Sequence, residues 1–337
     1  MKIRKNPEEK EQIMSDIQPM EYDELYDYAD QCAQDRRYDE ALEIYNRLHR
    51  DRPDNDSLLL SIAWVYRDRG DVEQAFGYLE ELLEKELARN IFTGFAFDEL
   101  VKMYREMEEY EKLVMLCELA VAKYPHDPAL LRTLGDSCLR SGRWDRALEV
   151  FSTLTDMDSK MSVYFMNRGL AAVGAGKYND AEADCVTAIQ LEPEDAAMIY
   201  DRFATAFEEA DQAERALALR KKAVESSGNN PHFYCGLGDL YLSQGRIEEA
   251  RNAYEEACRI IPASRGSLCN RLANMMIKTG FIAEAIEEFE NALEADPANP
   301  FYYLSLIGCC EAIGDQEGVR KFRELGRLRG ALPAEKD

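Results

Sequence analysis

The chain has 337 residues, 46% of them hydrophobic, and a formal net charge of -24 at pH 7. This charge disfavours nucleic-acid binding, because binding to phosphates requires clustered Lys and Arg. The first residues, MKIRKNPEEK, precede no apolar run, and no stretch approaches the roughly 20 apolar residues of a membrane span. We therefore expect a cytoplasmic protein without a secretory signal or membrane insertion.

A small residue returns along the chain every 34 or 35 residues, with one longer interval of 38. The series is Ala41, Ala75, Ala147, Ala181, Ala216, Ala250 and Ala285. Leu113 takes the corresponding position between Ala75 and Ala147, and Val319 ends the series. Glycine stands five residues before this marker at Gly70, Gly142, Gly176, Gly245, Gly280 and Gly314. Proline stands twelve residues after it at Pro53, Pro125, Pro193, Pro262 and Pro297. Glycine supplies a left-handed turn after one helix and proline ends the next, so each unit is predicted to be a helix hairpin.

This pattern resembles the tetratricopeptide repeat family, whose unit is a pair of antiparallel helices of this length. The seventh unit shows it most fully, with Tyr234, Leu237, Gly238, Tyr241, Gly245, Ala250, Tyr254, Ala257 and Pro262. The resemblance implies an all-α fold, a right-handed α-solenoid of about nine repeats. The predicted units start near Tyr22, Asp56, Gly94, Pro128, Ser162, Ala197, Pro231, Gly266 and Pro300.

We expect a continuous solenoid over residues 21–333, between an N-terminal extension or capping segment at 1–20 and a tail at 334–337. Its last helix, about 316–330, is predicted to be a basic cap. The longer interval between the second and third repeats contains four extra residues around 88–93 and no proline. Either the preceding helix continues and Phe92, Phe95 and Phe97 fill a widened joint, or a flexible break exposes these aromatics.

No motif predicts catalysis, a cofactor or a metal site. Six of the nine cysteines occupy repeat positions where other copies carry Tyr, Phe, Leu or Ala, so packing explains them. No CxxC or paired-His spacing is present. An enzyme would need a pocket that gathers His232 with Asp239 and a nucleophile. We therefore expect a protein that is not an enzyme.

In the resembled family, function resides mainly on the concave face, which the first helix of each repeat lines. We assign positions 2, 5, 6, 9, 12 and 13 of each unit to this face. The candidate peptide-binding residues on it are Trp64, Arg67, Phe95, Lys102, Arg105, Arg132, Arg140, Met166, Asn167, Leu170, Met198 and Arg202. For Trp64, packing against a neighbouring helix is the alternative to binding. An apolar strip beside cations suits an extended or helical segment with acidic flanks.

Some relatives hold a terminal carboxylate in a clamp of Lys, Asn and Arg on three successive first helices. The corresponding slots hold Arg132, Asp136, Asn167, Met198 and Arg202. Asp136 would repel a carboxylate and Met198 lacks a donor, so the usual clamp is not expected. Arg132, Asn167 and Arg202 could still bind an acidic side chain.

The leading hypothesis is a noncatalytic adaptor or scaffold that binds a peptide segment of another protein in its concave groove. The alternative is a chaperone that shields an unfolded or secreted client on the apolar floor of Leu139, Val163, Met166, Leu170, Val173 and Met198. Weak self-association is also predicted, since the basic last helix could meet the acidic first repeat of a second copy.

Overall fold

In the computed structural model, which describes residues 21–227 and 229–333, each predicted unit is a pair of α-helices. The described helices are α1 Tyr22–Gln34, α2 Tyr38–Asp51, α3 Asp56–Arg69, α4 Val72–Ala88, α5 Phe95–Glu106, α6 Tyr110–Lys123, α7 Pro128–Arg140, α8 Trp144–Met157, α9 Ser162–Gly174, α10 Tyr178–Leu191, α11 Ala196–Glu209, α12 Ala213–Ser227, α13 Pro231–Ser243, α14 Ile247–Ile260, α15 Arg265–Lys278, α16 Ile282–Ala295, α17 Pro300–Ile313 and α18 Gln316–Leu328. Odd numbers are first helices of a repeat and even numbers are second helices. The predicted extension at 1–20 and tail at 334–337 lie outside the described residues.

The chain divides into two compact units, residues 1–150 and 151–337, with the boundary inside α8. In the first unit, α1 packs on α2, α3 on α4 and α5 on α6, and successive hairpins contact one another. The second unit repeats this arrangement from α9 to α18, with short 3-10 turns at Pro193–Asp195 and Pro262–Ser264 before α11 and α15. Among the described helices, none is long and apolar enough to cross a bilayer.

The marker residues pack between the two helices of each hairpin. Ala41, Ala75 and Ala147 are fully buried, and Leu113 is 1% exposed. A second small residue stands twelve positions before the marker, as at Gly169 and Gly238, and allows equally close approach. At Gly169 an added Cβ would lie 2.5 Å from a ring carbon of Phe203, and at Gly238 it would lie 2.7 Å from the ring of Tyr254. The small residues therefore recur because a larger side chain would separate the helices.

All nine cysteines are buried as free thiols. Burial raises the pKa of Cys117, Cys185 and Cys269 to about 12, so these thiols stay protonated at neutral pH. The cysteines therefore fill the core, as predicted for six of them from their repeat positions.

The six predicted turn glycines all have positive φ, between 72° and 91°. Three repeats lack the glycine, and there Arg36, Glu108 and Asp211 adopt φ of 60°, 57° and 56°. The turn geometry is thus kept where the sequence opposes it, because an L-residue in this conformation crowds its own Cβ against the carbonyl.

We expect Arg36→Gly, Glu108→Gly and Asp211→Gly each to raise the free energy of unfolding by about 0.5 kcal/mol, the relief of left-handed strain less the added entropy of the unfolded chain. Gly142→Ala is the matched control. Its φ is 72° and its Cβ would meet nothing closer than 3.7 Å, so it should lower the free energy of unfolding by about 0.5 kcal/mol, the same strain less the same entropy term. Urea unfolding followed by circular dichroism measures both effects, and a loss of stability in all three glycine variants would contradict the account.

The joint between the second and third repeats is formed by a longer helix, as in the first of the two alternatives, but Phe95 does not fill the joint. Helix α4 has 17 residues and carries Glu86, whose side chain is buried. The Glu86 carboxylate accepts the backbone N–H of Ala96, at 3.2 Å from Oε2, in the first turn of α5. Burial raises the pKa of Glu86, and the backbone N–H groups of Ala96 and Phe95 oppose this rise. Of the aromatics, Phe97 is buried, Phe92 packs edge-on against Tyr124, and Phe95 projects into solvent at 71% exposure.

Gly94 precedes α5 with ordinary extended dihedral angles, yet an added Cβ would lie 2.4 Å from the Glu86 carboxylate. We expect Glu86→Ala to lower the free energy of unfolding by about 1 kcal/mol, because the cap of α5 is lost. Gly94→Ala should lower it by about as much, because the added methyl displaces the carboxylate. The double variant should be little less stable than Glu86→Ala alone, since the carboxylate that Gly94→Ala would displace is already absent. Urea midpoints of the four proteins measure this coupling, and additive effects would contradict it.

Candidate functional site

Three of the predicted binding residues in the first unit converge on Glu99, a buried carboxylate of α5. Arg67 Nη1 lies 3.1 Å from Glu99 Oε2, and Lys102 Nζ lies 2.6 Å from Oε1. The Trp64 indole N–H also acts on this carboxylate and lowers its pKa. Burial alone would raise the pKa of Glu99, but the hydrogen bonds from Lys102 and Trp64 and the charges of Lys102 and Arg67 outweigh it, so the pKa is lowered. Glu99 therefore remains ionised and anchors side chains of α3 and α5 together.

Two large aromatic side chains stand exposed on the same surface. Trp64 is 41% exposed, while its indole N–H acts on the Glu99 carboxylate, so the side chain both faces solvent and interacts with α5. Phe95 is 71% exposed. Since Phe95, Glu99 and Lys102 are spaced by four and three residues, they share one side of α5. We call Trp64, Arg67, Phe95, Glu99 and Lys102 the α3–α5 face.

The remaining predicted cations of the first unit differ in how they are paired. Arg140 lies over the Tyr110 ring at 5.0 Å and 3.9 Å from Glu108. Arg105 and Arg132 are exposed, and neither makes an ion pair with another residue of the described ranges. These two arginines are thus available to a ligand, in a chain where many arginines bridge to a carboxylate of an adjacent repeat, as Arg143 does to Glu111.

In the second unit, two of the five predicted residues are covered. Met166 is 5% exposed and Asn167 is 7% exposed, so neither is presented to a ligand. Leu170 is half-buried, while Met198, at 47% exposure, and Arg202 face solvent. The predicted apolar floor is also reduced, because Val173 is only 2% exposed. A carboxylate grip that uses Asn167 is therefore disfavoured by burial of its amide.

The sequence interpretation missed an apolar strip on α17. Phe301 is 72% exposed and Leu304 is 55% exposed, and a Cβ at Gly308 would meet open space. The spacing of three and four residues places them on one side of the helix. The composition of α17 does carry a signal, because Glu311 is its single charged residue, in a chain that is 31% charged.

His232 is paired with a different carboxylate from the one that the enzyme alternative requires. His232 Nε2 lies 3.7 Å from Asp201, whereas Asp239 is bonded to Arg271 and Tyr254. The pairing of His232 with Asp239 that an enzyme would need is therefore not formed. Within the described ranges no group of three or more His, Cys, Asp or Glu is arranged to hold a metal ion.

The basic last helix uses part of its charge within its own unit. Lys321 Nζ lies 2.8 Å from Glu290 Oε1, and Arg323 Nη2 lies 2.8 Å from Glu311 Oε1. Arg320 is exposed. The predicted head-to-tail contact with the acidic first repeat of a second copy stays a prediction.

Comparison with known proteins gives both curated relatives and solved structures. The human protein O-mannosyl-transferase TMTC1 is 26% identical over 164 residues, which are 47% of this chain and 18% of that protein. The Arabidopsis thaliana protein KINESIN LIGHT CHAIN-RELATED 1 is 27% identical over 188 residues, which are 48% of this chain and 31% of that protein. The chain thus spans less than a third of either relative. A tetratricopeptide repeat protein from Parabacteroides merdae is 18% identical, with 76% of this chain and 98% of that chain covered and a TM-score of 0.48.

Two family models described as tetratricopeptide repeat match the chain. One matches residues 26–89 and 118–162, and the other matches residues 231–264 and 266–299. Together these segments cover more than half of the sequence, and they coincide with helix hairpins that carry the small residues and left-handed turns described above. The chain belongs to the tetratricopeptide repeat family.

Proposed function

We propose that this protein is a noncatalytic scaffold that binds a segment of another protein on the α3–α5 face. The observation that carries the proposal is the pair of exposed aromatics, Trp64 and Phe95, on a surface whose cations are anchored by a buried carboxylate. A peptide that covers both rings would gain hydrophobic contact of the kind that dominates binding hot spots.

The charges around the two rings define the partner more closely. Arg67 and Lys102 are neutralised in part by Glu99, while Arg105 has no described ion-pair partner. A segment that places an apolar or aromatic residue on Trp64 and Phe95 and an acidic residue beside Arg105 fits this pattern, because burial supplies affinity and charge supplies orientation. The segment could be extended or helical, since both can present side chains at this spacing.

The noncatalytic part of the proposal is supported by the chemistry of the described side chains. The cysteine thiols are buried, with raised pKa values, and His232 contacts Asp201 rather than Asp239. TMTC1 is a protein O-mannosyl-transferase, but the matched segment is only 18% of that protein.

The experiment that tests the proposal is site-specific photocrosslinking in cells. A benzophenone amino acid replaces Phe95, and in the matched control it replaces Met115, an equally apolar residue of α6 that is 64% exposed. We expect a discrete crosslinked protein from position 95 that is absent from position 115. That protein should bind the purified chain, with affinity that falls as salt is raised. A broad smear of products with salt-independent binding would favour the chaperone alternative, and equal products from both positions would contradict the proposal.

A further inference from the structure

First helices of successive repeats are connected through one recurrent position. The sixth residue of a unit receives a side chain from the preceding first helix at three joints of the described chain. The Tyr26 hydroxyl lies 2.8 Å from Ser61 Oγ. Arg67 lies 3.1 Å from Glu99, and Arg271 lies 2.7 Å from Asp239. Position 6 is therefore where side chains of two first helices meet, in both units of the protein.

At the joint between α5 and α7, the residue at this position is Thr133, where the α3–α5 joint has Glu99. The counterpart of Arg67 is Arg105, and the counterpart of Trp64 is Lys102. The α3–α5 joint has two cations, Arg67 and Lys102, and two anions, Asp98 and Glu99. At the same repeat positions, the α5–α7 joint has three cations, Lys102, Arg105 and Arg132, and one anion, Asp136. Lys102 is already paired with Glu99, which leaves Arg105 and Arg132 against Asp136. The second joint thus has excess positive charge and lacks the carboxylate that organises the first.

We propose that a carboxylate of the bound segment, an Asp or Glu side chain, occupies the place at the α5–α7 joint that Glu99 fills at the α3–α5 joint. This inference rests on the proposed function, since the carboxylate belongs to the segment held on Trp64 and Phe95. Arg105 and Arg132 are exposed and make no ion pair with a described residue, so they can donate to it without first breaking an internal bridge. Asp136 follows one turn later, and its charge favours a monoanionic carboxylate over a dianionic phosphate.

The inference has a test that requires no knowledge of the partner. Thr133→Glu places a carboxylate from the protein itself at position 6, and Thr133→Gln is the uncharged control of the same length and similar helix propensity. We expect Thr133→Glu to raise the thermal midpoint by about 2 °C over Thr133→Gln, and Arg105→Met to remove that difference. Equal midpoints of the Glu and Gln variants, or a gain that survives Arg105→Met, would overturn the inference.

A second measurement observes the ligand site directly. The probe is the peptide acetyl-Glu-Glu-Glu-amide, with acetyl-Gln-Gln-Gln-amide as control, titrated into protein labelled for NMR of arginine Nε–Hε groups. The Arg105 and Arg132 signals should shift with the glutamate peptide in the wild type and not in Thr133→Glu, while Arg143, paired with Glu111, stays still. Shifts no larger at Arg105 and Arg132 than at Arg143, or an unchanged response in Thr133→Glu, would overturn the inference.

The two proposals fail in distinguishable ways. A partner that is lost with Trp64→Ala but binds Thr133→Glu as tightly as wild type would retain the α3–α5 face and remove the carboxylate site. A partner insensitive to Trp64→Ala would remove the proposed function, and the carboxylate site would then be decided by the thermal and NMR results. If Trp64→Ala and Thr133→Glu each lower the affinity for the partner by tenfold or more, both proposals are supported.

Discussion

Replacement of Arg220 by methionine is expected to lower the local stability of the α11–α12 hairpin by about 3 kcal/mol, because it leaves carboxylates without their counter-ion in a poorly solvated site. The Arg220 side chain is 9% exposed. Its Nε lies 2.8 Å from Glu208 Oε1, its Nη2 lies 3.1 Å from Thr205 Oγ1, and its Nη1 contacts Asp201. Gly236 of the next repeat leaves space for this guanidinium, since a Cβ there would lie 2.9 Å from Nη1.

Native-state hydrogen exchange of the α11 and α12 amides measures this effect locally. Arg220→Lys should restore only part of the protection, because an ammonium cannot present the guanidinium's fork of donors to all three acceptors. Arg146→Met is the control. Arg146 also bonds two glutamates, Glu118 and Glu149, but its side chain is 37% exposed, so its loss should cost less than about 1 kcal/mol. If Arg220→Met and Arg146→Met lowered local stability equally, burial of the arginine would not determine the loss.

Two alanine substitutions at helix glycines are expected to change stability in opposite directions. Alanine normally stabilises a helix interior by about 1 kcal/mol over glycine. In Gly169→Ala the added methyl would lie 2.5 Å from the fully buried ring of Phe203, and overpacking should produce a net loss of about 2 kcal/mol. In Gly308→Ala the methyl meets open space, so the propensity gain of up to about 1 kcal/mol should remain.

Thermal and urea unfolding of the two variants beside wild type measure this contrast. Combining Gly169→Ala with Phe203→Leu, which removes the part of the ring that the methyl would meet, should cost less than the sum of the two single changes. Stabilisation by Gly169→Ala would mean that the small residue is not required for close approach of α9 and α11. Destabilisation by Gly308→Ala would mean that another group covers the α17 strip.

The sequence predicts the repeats well because their signals are local. A glycine in a left-handed turn and a small residue at a helix crossing act within one hairpin, so the period locates both helices. The period also places the turns at Arg36, Glu108 and Asp211, which have no glycine signal of their own. The four extra residues before the third repeat allowed two interpretations, because the choice depends on the Glu86 cap across ten residues of chain.

The candidate site was predictable only in part, because exposure depends on the neighbouring helix. Helical spacing selects the side of α9 that holds Met166 and Asn167, but it does not specify how closely another element covers that side. Position 6 is buried at Ser61 and Glu99 as well as at Asn167. Glu99 itself had no signal distinguishing it among 65 acidic residues, since Arg67, which connects it to the preceding repeat, is more than 30 positions away.

The measurement that tests the central claim most directly is the affinity of the partner crosslinked at position 95 for purified variants of the α3–α5 face, determined by calorimetry. We predict that Trp64→Ala and Phe95→Ala each weaken binding at least about 30-fold, as expected for aromatic hot spots, while Met115→Ala changes it less than about threefold. Circular dichroism of each variant verifies that the helices are intact. Affinities of Trp64→Ala and Phe95→Ala equal to that of Met115→Ala would contradict binding on the α3–α5 face.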